Sequence, residues 1–388
     1  MNNQEPLRVL FLANDDKAFF THRLPIAAAV RDKGANTAVA APDGPLRPAI
    51  EKAGFQFFPV RFFRGNLNPI KELLTFFDVR RAYGAFRPDL VHQTTFKPIV
   101  IGSWVARRQK IPAIVNQITG LGYVFSGEDP SRGLLRKVAQ WGYGNVLGAP
   151  NSRVIFQNSD DHKLFMEKKM AKAESSLVIP GSGVDVEAFR PTHEPEPPVR
   201  ILLPARILWD KGVGDAVEAC RRLHERGLDF QLVLAGEPDP QNPANVDQET
   251  LASWNRESYV DWIGYQHDMP SLIARSHIVC LPSYREGVPK ALIEAASCGR
   301  PIVSTDVPGC REIVRDGHNG LLVPPRNPAR LAEALGRLIG DAELRKSMGR
   351  KGRDLVIRRF SIQQITADTM QVYDELLDEI AGRKPVKN

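Results

Sequence analysis

The sequence lacks the features that mark membrane-spanning, secreted or disulfide-stabilised proteins. No apolar run among its 388 residues approaches the ~20 residues needed to span a bilayer. The polar start has no basic-then-apolar order, so we expect no signal peptide and a cytoplasmic location. No Cys-x-x-Cys pair is present, which predicts reduced, buried thiols rather than disulfides or a zinc site at Cys220, Cys280, Cys298 and Cys310.

The charged residues are unevenly distributed along the chain. Residues 1–190 hold 26 lysines and arginines against 17 acidic residues, a net charge of +9, whereas residues 191–388 hold 26 against 28, a net −2. The N-terminal excess suits either an ordinary solvated surface or attraction to an anionic partner, such as a phosphate-bearing substrate or an acidic membrane. The sequence contains no RNP, zinc-finger or KH pattern, so nucleic acid is not expected as a partner.

Short apolar runs alternate with helical patterns in two successive series, which is typical of βαβ units with parallel sheets. Residues 1–190 form the first predicted domain and residues 199–360 the second, separated by a Pro-rich linker at 191–198. Residues 361–388 are predicted to form a helix that packs back towards the first domain. The predicted fold is therefore α/β, with two Rossmann-like, doubly wound parallel-sheet domains that face a cleft and bind ligands at the carboxyl ends of strands.

The predicted elements are bounded by glycine, proline and changes in hydrophobic period. In the first domain, strands are predicted at 7–14, 37–41, 57–60, 90–94, 113–117 and 153–157, and helices at 22–33, 45–53, 69–86, 99–108 and 134–147. In the second, strands are predicted at 200–204, 231–235, 259–264, 278–282, 301–304 and 320–323, with later helices at 329–339, 342–351 and 362–380.

Residues 281–304 are predicted to form, in order, the end of a strand, a loop, a helix, a glycine turn and another strand. Glu286, Gly287 and Val288 precede Pro289, which suits the first helical turn because its missing N–H would be unpaired there. Backbone N–H groups at such a helix start favour an anion, and Gly287 lets a ligand approach the backbone. Glu294 lies eight residues after Glu286, and a carboxylate there can accept two hydrogen bonds from a diol such as a ribose.

A second pattern, Arg206 with Lys211-Gly212, follows the first strand of the second domain. Two cations near the carboxyl end of a strand can clamp a diphosphate and stabilise negative charge on a departing nucleotide. In isolation the same pattern is equally typical of a solvated basic loop.

These patterns resemble the donor-binding signature of the retaining GT-B glycosyltransferases of family 4, above all in the string EGVPKALIEAASCGRPIVST at 286–305. The resemblance implies that Glu286 contacts the donor sugar and Glu294 the ribose. It implies catalytic roles for Glu286, Arg206 and Lys211, the two cations stabilising the diphosphate. It further implies backbone contacts with the donor at Gly287, Val288 and Pro289, and base contacts at Gly264 and Tyr265, although Tyr265 also suits a core position.

The resemblance also implies that no metal or other cofactor is needed, the nucleotide-sugar being a substrate. The pairs Asp15-Asp16 and Asp160-Asp161 are not the Asp-x-Asp motif of metal-dependent glycosyltransferases. The resemblance implies that Arg206 and Lys211 neutralise the diphosphate in place of a metal ion.

The N-terminal half resembles a narrower branch, the capsule and lipid-linked-oligosaccharide synthesis enzymes, in the strings THRLP (21–25) and ITGLGYVF (118–125). That branch implies transfer of an N-acetylhexosamine or a deoxy relative from a UDP-sugar to a polyprenyl-diphosphate-linked sugar. The sequence departs from the family in lacking a Gly-Gly pair after the first strand and in having threonine where many members have histidine. The acceptor-side candidates are His22, Arg23, His92, Thr119 and Gly120.

Aromatic and basic residues alternate at 55–65, a composition that suits the edge of an anionic membrane. Phe55, Phe57 and Phe58 are expected in the core of a strand. We therefore expect a protein bound peripherally to the inner face of the cell membrane, with a second candidate contact in the helix near 136–141. The first candidates are Arg61, Phe62, Phe63 and Arg64.

Three other functions fit parts of the same pattern. A family 4 transferase that acts on a small soluble acceptor, or that uses a GDP-sugar, would share the donor motif. A GT-B epimerase or hydrolase would turn over the donor without an acceptor, and a non-catalytic nucleotide-sugar-binding subunit would bind it without turnover. Retaining hexosyl transfer is favoured because both cations and both glutamates are present.

Overall fold

The computed structural model describes residues 5–63, 68–120 and 133–383. The chain divides into two compact units, one formed by Met1–Ser182 with Ile362–Asn388 and the other by Gly183–Ser361. Each unit is built on a β-sheet whose described strands all pair in parallel.

The sheet of the first unit has seven strands in the spatial order β3-β2-β1-β4-β5-β6-β7. In chain order these strands, β1 to β7, are Arg8–Leu12, Asn36–Ala41, Gln56–Pro59, Leu90–Thr94, Ala113–Ile118, Ser152–Phe156 and Ser176–Val178. The described helices of its N-terminal part, α1 to α7, are Asp16–His22, Leu24–Asp32, Arg47–Lys52, Pro69–Phe86, Phe96–Arg108, Gly133–Val146 and Ser159–Glu167. The order reverses between β1 and β4, where a doubly wound sheet opens a crevice for ligands.

The sheet of the second unit has six strands in the spatial order β10-β9-β8-β11-β12-β13. The strands β8 to β13 are Val199–Pro204, Phe230–Ala235, Val260–Trp262, Ile278–Leu281, Ile302–Thr305 and Gly320–Val323. The helices α8 to α14 are Val213–Glu225, Gln248–Trp254, Met269–Ala274, Lys290–Ser297, Cys310–Ile313, Pro328–Gly340 and Ala342–Arg359. The last described helix, α15 (Ile362–Arg383), belongs to the first unit.

Near-continuous apolar runs fill the strands because both faces of each parallel sheet are covered. In β1, Val9 and Phe11 enter one core cluster and Leu10 and Leu12 another, as the alternation of side chains requires. Helix α15 buries Ile365, Tyr373 and Leu376 in the first of these two clusters, so the C-terminal segment completes the core of the first unit.

The predicted α/β class with two Rossmann-like sheets is confirmed, and the differences are local. The predicted helix at 22–33 corresponds to α2, which has Pro25 in its first turn. A separate helix that was not predicted, α1, precedes it and begins after Asp15, whose side chain accepts a hydrogen bond from the Ala18 amide. The sequence prediction omits α7 and β7. Helix α7 is rich in polar residues and β7 has only three residues, so neither carries a strong hydrophobic period.

The Pro-rich stretch at 191–198 differs from the predicted linker, because side chains of the second unit hold it. Arg345 forms a two-pronged ion pair with Glu194, in which both nitrogen–oxygen distances are 2.9 Å. Arg300 donates to the Thr192 hydroxyl at 2.7 Å and to the His193 carbonyl at 3.0 Å. Along the chain, the boundaries between the two units instead fall at 182–183 and 361–362.

All four cysteines are buried and unbridged, as the lack of pairing in the sequence predicts. In the three described ranges, no helix combines the length and the apolar character that crossing a membrane requires.

Candidate functional site

The predicted donor residues gather where the strand order of the second sheet reverses. Strand β8 ends at Pro204, and the loop that follows carries Arg206 and Lys211 into α8. The neighbouring strand β11 ends at Leu281 and leads through 282–289 into α11. Because the two strands are parallel, both loops emerge at the same edge of the sheet, which is where such sheets bind ligands.

Lys211 and Glu286 form an ion pair at the centre of this edge. The Lys211 Nζ lies 2.5 Å from the Glu286 Oε1, and the Ser283 hydroxyl donates to the same oxygen at 2.7 Å. Their side chains are 20% and 11% exposed, so the pair is only partly screened by water. The structure thus brings together the cation predicted at the diphosphate and the carboxylate predicted at the sugar.

Two glycines allow the loops of the site to press against each other. Gly212, at φ +71°, precedes α8, and a Cβ at this position would overlap the Pro282 carbonyl oxygen. Gly309, at φ +80°, lies against the Gly287 carbonyl oxygen in the same way. Both positions therefore require glycine for their backbone conformation and for space.

The residues before α11 differ slightly from the prediction. Pro289 is the residue just before the helix, with φ −71° and ψ 115°, rather than a member of its first turn. Gly287 and Val288 are half-buried in the loop that leads to it. Their donor contacts stay a prediction.

Glu294 lies in the second turn of α11 and is almost fully buried. Burial raises the pKa of its carboxyl to about 7, although the Lys290 ammonium, 3.7 Å away, acts in the opposite direction. A carboxyl with this pKa exchanges its proton near neutral pH and can both accept and donate hydrogen bonds. Such a group suits a ribose diol, the ligand predicted for it.

Replacing Glu294 by glutamine is expected to remove one pH dependence of stability. The folded protein holds the Glu294 proton up to about pH 7, whereas the ordinary value of a glutamate in an unfolded chain is 4.5. The contribution of this group to stability is therefore complete below pH 4.5 and is lost as the pH rises through about 7. We expect the melting temperature of E294Q, relative to the parent, to rise between about pH 5 and about pH 8.

Thermal scans at both pH values measure this difference, with the exposed Glu187→Gln as the control. An equal difference between E294Q and the parent at the two pH values would contradict the assignment.

Arg206 lies on the exposed side of the same edge. Its Nη1 is 2.7 Å from the Asp239 Oδ2, and 55% of its side chain is exposed. A diphosphate at this position would have to draw Arg206 away from Asp239, so the predicted clamp requires a change of partner.

The predicted base contacts follow β10. Gly264 has φ +66°, and the amide of the exposed Tyr265 donates to the Glu237 Oε1 at 3.1 Å. Trp262 donates from Nε1 to the Gly236 carbonyl at 2.8 Å and packs against the core. Trp262 is therefore a packing residue, while Tyr265 faces solvent. The sequence prediction omits Glu237, and its position in the loop directly after β9 is the signal that indicates it.

Three interacting side chains at the 282–289 loop, those of Asp215, Tyr284 and Arg326, are also absent from the sequence prediction. The Tyr284 hydroxyl hydrogen-bonds the Asp215 carboxyl, and the Arg326 guanidinium carbon lies 4.6 Å from the centre of the Tyr284 ring. Burial raises the pKa of Asp215 and raises that of Tyr284 to about 12. The group ties the first turn of α8, which follows Lys211 and Gly212, to the loop before α11, which carries Glu286.

In the first unit, the structure brings Arg23 and His92 together in the core. The ring of His92 hydrogen-bonds the Tyr373 hydroxyl through Nδ1 and the Gln117 Oε1, at 2.9 Å, through Nε2. Burial, and then the charge of Arg23, lowers the pKa of His92 to about 3, so its imidazole is neutral. Burial also lowers the pKa of Arg23 to about 10, and its Nη1 has no hydrogen-bond partner among the described residues.

The other acceptor-side candidates lie near the carboxyl edge of the first sheet. His22 ends α1, and its Nδ1 lies 3.0 Å from the Ser182 Oγ. Thr119 and Gly120 follow β5 and are half-buried. The rest of the string that begins at Ile118, residues 121–125, lies outside the described residues.

The predicted membrane candidates are held against the first unit. Arg61 pairs with the buried Asp78 carboxylate at 2.7 and 3.0 Å. Phe62 packs against the core, and Phe63 is half-buried with the Lys71 ammonium 5.2 Å from its ring centre. Arg64 lies outside the described residues. Among the described histidines, cysteines and acidic residues, no cluster is arranged to hold a metal ion.

Two family models match the chain in succession. Residues 185–355 match "Glycosyl transferases group 1", and residues 8–151 match "Glycosyl transferase 4-like". The first match contains the whole site at the edge of the second sheet.

Curated relatives align along most of the chain. The N,N'-diacetylbacillosaminyl-diphospho-undecaprenol alpha-1,3-N-acetylgalactosaminyltransferase of Campylobacter jejuni is 26% identical, covering 96% of this chain and 100% of that protein. The UDP-Gal:alpha-D-GlcNAc-diphosphoundecaprenol alpha-1,3-galactosyltransferase of Escherichia coli is 23% identical, covering 86% and 87%.

A solved structure, that of Anabaena Alr3699/HepE in complex with UDP and glucose, has the same fold. It superposes with a TM-score of 0.77 at 19% identity and covers 95% of this chain and 100% of its own. At this identity the likeness shows the fold alone. The chain is therefore a glycosyltransferase that carries a family 4-like domain in its first unit and a group 1 domain in its second, with the two-sheet fold of the GT-B glycosyltransferases.

Proposed function

We propose that this glycosyltransferase moves a sugar from a UDP-sugar to a polyprenyl-diphosphate-linked sugar, with retention of the anomeric configuration. The observation that carries the proposal is the Lys211–Glu286 pair at the reversal of the second sheet, with Glu294 buried in the helix that follows the Glu286 loop. A cation and two carboxyl groups in these segments suit the diphosphate, the sugar and the ribose of a nucleotide-sugar.

The choice of acceptor and donor rests on the relatives. The names of the Campylobacter and Escherichia coli enzymes both specify a diphospho-undecaprenol-linked acceptor. One of these names specifies UDP-galactose, and the other specifies transfer of N-acetylgalactosamine. The proposed donor sugar is therefore an N-acetylhexosamine or a deoxy relative, carried on UDP. Because an acceptor of this kind is anchored in a bilayer, we also propose a peripheral location for the enzyme at the inner face of the cell membrane.

The chemistry follows from the charges at the edge of the sheet. As the sugar–phosphate bond breaks, positive charge develops on the sugar and negative charge on the diphosphate. Lys211 and Arg206 stabilise the diphosphate, and Glu286 orients the Lys211 ammonium and faces the sugar. The acceptor hydroxyl attacks the same face of the sugar, and the departing phosphate takes its proton. No separate base is then required, and no metal ion enters the proposed step.

A transfer assay with the full chain tests the proposal. A UDP-hexose panel is incubated with a short-chain polyprenyl-diphosphate-linked sugar, and the product is identified by mass spectrometry and its anomeric proton by NMR. The expected result is an acceptor extended by one α-linked sugar. Donor consumption without an extended acceptor would indicate the hydrolase or epimerase alternative.

Thermal shifts with UDP, GDP, ADP and dTDP identify the nucleotide separately, because a ligand specific for the folded state raises its stability by mass action. We expect the largest shift with UDP. A UDP shift without turnover on any acceptor would indicate the non-catalytic binding subunit, and a larger shift with GDP would overturn the proposed donor.

A further inference from the structure

Exposed apolar side chains are concentrated on three neighbouring helices of the first unit. Ten large apolar or aromatic side chains of the described residues are exposed, and seven of them lie on α4, α5 and α6. Soluble proteins rarely expose a contiguous apolar patch of this kind unless it binds a partner or a membrane. The seven are Ile70, Leu73, Leu74, Phe77, Trp104, Val138 and Trp141.

Helix α4 carries four of these side chains in a single stripe. Ile70, Leu73, Leu74 and Phe77 follow the spacing i, i+3, i+4 and i+7, which places them on one face of a helix. Ile70 is 70% exposed and Phe77 50%. The opposite face of α4 buries other residues against the sheet, among them Val79 and Tyr83. The outer stripe is therefore not needed for the core of this unit.

The neighbouring helices add two tryptophans. Trp141 on α6 is 63% exposed and Trp104 on α5 is 38% exposed. The Arg108 guanidinium lies 5.1 Å from the ring centre of Trp104 and 6.0 Å from that of Phe76. Tryptophan with an adjacent cation is typical of side chains that sit at the level of lipid headgroups.

The same three helices are strongly basic. They hold eight lysines and arginines against two acidic residues, and α5 and α6 hold no acidic residue. Both acidic side chains are already paired, Glu72 with Lys97 at 2.5 Å and Asp78 with Arg61 at 2.7 Å. The exposed cations Arg80, Arg108 and Lys137 therefore set the charge of this surface.

A groove between α4 and α5 lies on this surface. Its volume is about 400 Å³, and it is lined by Phe76, Arg80, Val105, Arg108 and Gln109. Two arginines above an apolar floor suit a phosphate whose acyl chains continue into a bilayer.

We propose that this surface, the outer side of α4, α5 and α6 (the α4–α6 face), docks on an anionic lipid bilayer. This role of the face rests on the proposed function, since an enzyme that acts on a lipid-linked acceptor has to bind that acceptor at a membrane. The occupant is an anionic bilayer rather than a second copy of this chain, because two copies of so basic a face repel each other. The face lies beside the Arg61–Phe63 stretch, whose arginine is held by Asp78.

The test uses the full chain and vesicles of phosphatidylcholine with or without phosphatidylglycerol, at low salt and at physiological salt. We expect the parent to float with the anionic vesicles, less so as salt rises, because exposed charges are screened. The double variant I70S/F77S is expected to bind at least about tenfold more weakly, as is R80A/R108A on anionic vesicles. The control is Ile357→Ser, which removes a side chain that is 47% exposed in the second unit.

Quenching by brominated lipids locates the contact. Brominated anionic vesicles are expected to quench the parent's tryptophan fluorescence, and W104F/W141F to abolish that quenching while W254F retains it. Unchanged flotation of I70S/F77S, or quenching that survives W104F/W141F, would overturn the proposal. So would a dimer in solution that I70S/F77S dissociates.

The docking result is separable from the proposed function. A UDP-induced thermal shift and transfer to a water-soluble acceptor analogue should be equal in I70S/F77S and the parent, which also shows that the variant is folded. Loss of flotation with intact transfer supports the α4–α6 face. If the parent chain floats fully with anionic vesicles but transfers no sugar, the result supports the α4–α6 face as a docking surface and contradicts only the proposed function.

Discussion

Substitution of Lys211 by alanine is expected to lower kcat/KM for sugar transfer by at least about tenfold, or ~1.4 kcal/mol. The ammonium lies 2.5 Å from Glu286 and is mostly shielded from solvent. Its charge therefore acts on the developing negative charge of the diphosphate with little screening. The variant also leaves the Glu286 carboxylate without its cation next to the donor, where a negative charge opposes binding.

Glu286→Ala is expected to cost a similar factor, and the double variant K211A/E286A less than the product of the two single losses. Residues that act as one unit are not additive, and this pair shares an ion pair and the Ser283 hydroxyl. Steady-state rates at varied UDP-sugar concentration measure these factors.

Lys346→Ala is the matched control, because Lys346 also forms a lysine–glutamate pair, with Glu343 at 2.9 Å, but both side chains are exposed in the second unit. Near-normal turnover by K211A would refute the assigned role, whereas a loss shared with K346A would indicate a general effect of removing a lysine.

The second sheet shows what a sequence pattern can predict. Strands β8, β11 and β13 follow their apolar runs within one residue, since glycine and proline bound them. The parallel order then places the ends of β8 and β11 side by side, so Lys211 and Glu286, 75 positions apart, form an ion pair. Some contacts join single polar residues that belong to no recognisable sequence motif, such as Asp215 with Tyr284. Only the three-dimensional structure reveals contacts of this kind.

The first sheet shows contacts that a local sequence pattern does not encode. His92 is a pocket candidate by its place in β4, but its ring points into the core and contacts Tyr373 from α15. That contact joins residues 281 positions apart, a separation that no local period encodes. Likewise, the aromatic-basic run at 55–65 indicates a membrane contact, whereas the exposed stripe lies on α4 and shows in sequence only as helical spacing.

Replacing Gly212 by alanine is expected to abolish most transfer activity, by about a hundredfold or more, because two independent costs meet at this residue. Its φ of +71° is a left-handed conformation, which costs an alanine on the order of 1 kcal/mol. A Cβ there would also overlap the carbonyl oxygen of Pro282, part of the backbone just after β11. Relief of that overlap has to shift either Lys211 or the loop to Glu286, and so separates the pair.

Gly227→Ala separates the two costs, since Gly227 follows the other end of α8 at φ +78° and a Cβ there meets no atom within 4 Å. It should lower the melting temperature by the conformational cost alone and keep full turnover. G212A should lose turnover well beyond any loss of stability, measured as kcat/KM at a temperature where both variants are folded. Equal activity of the two variants would show that the contact between Gly212 and Pro282 does not position Lys211 for transfer.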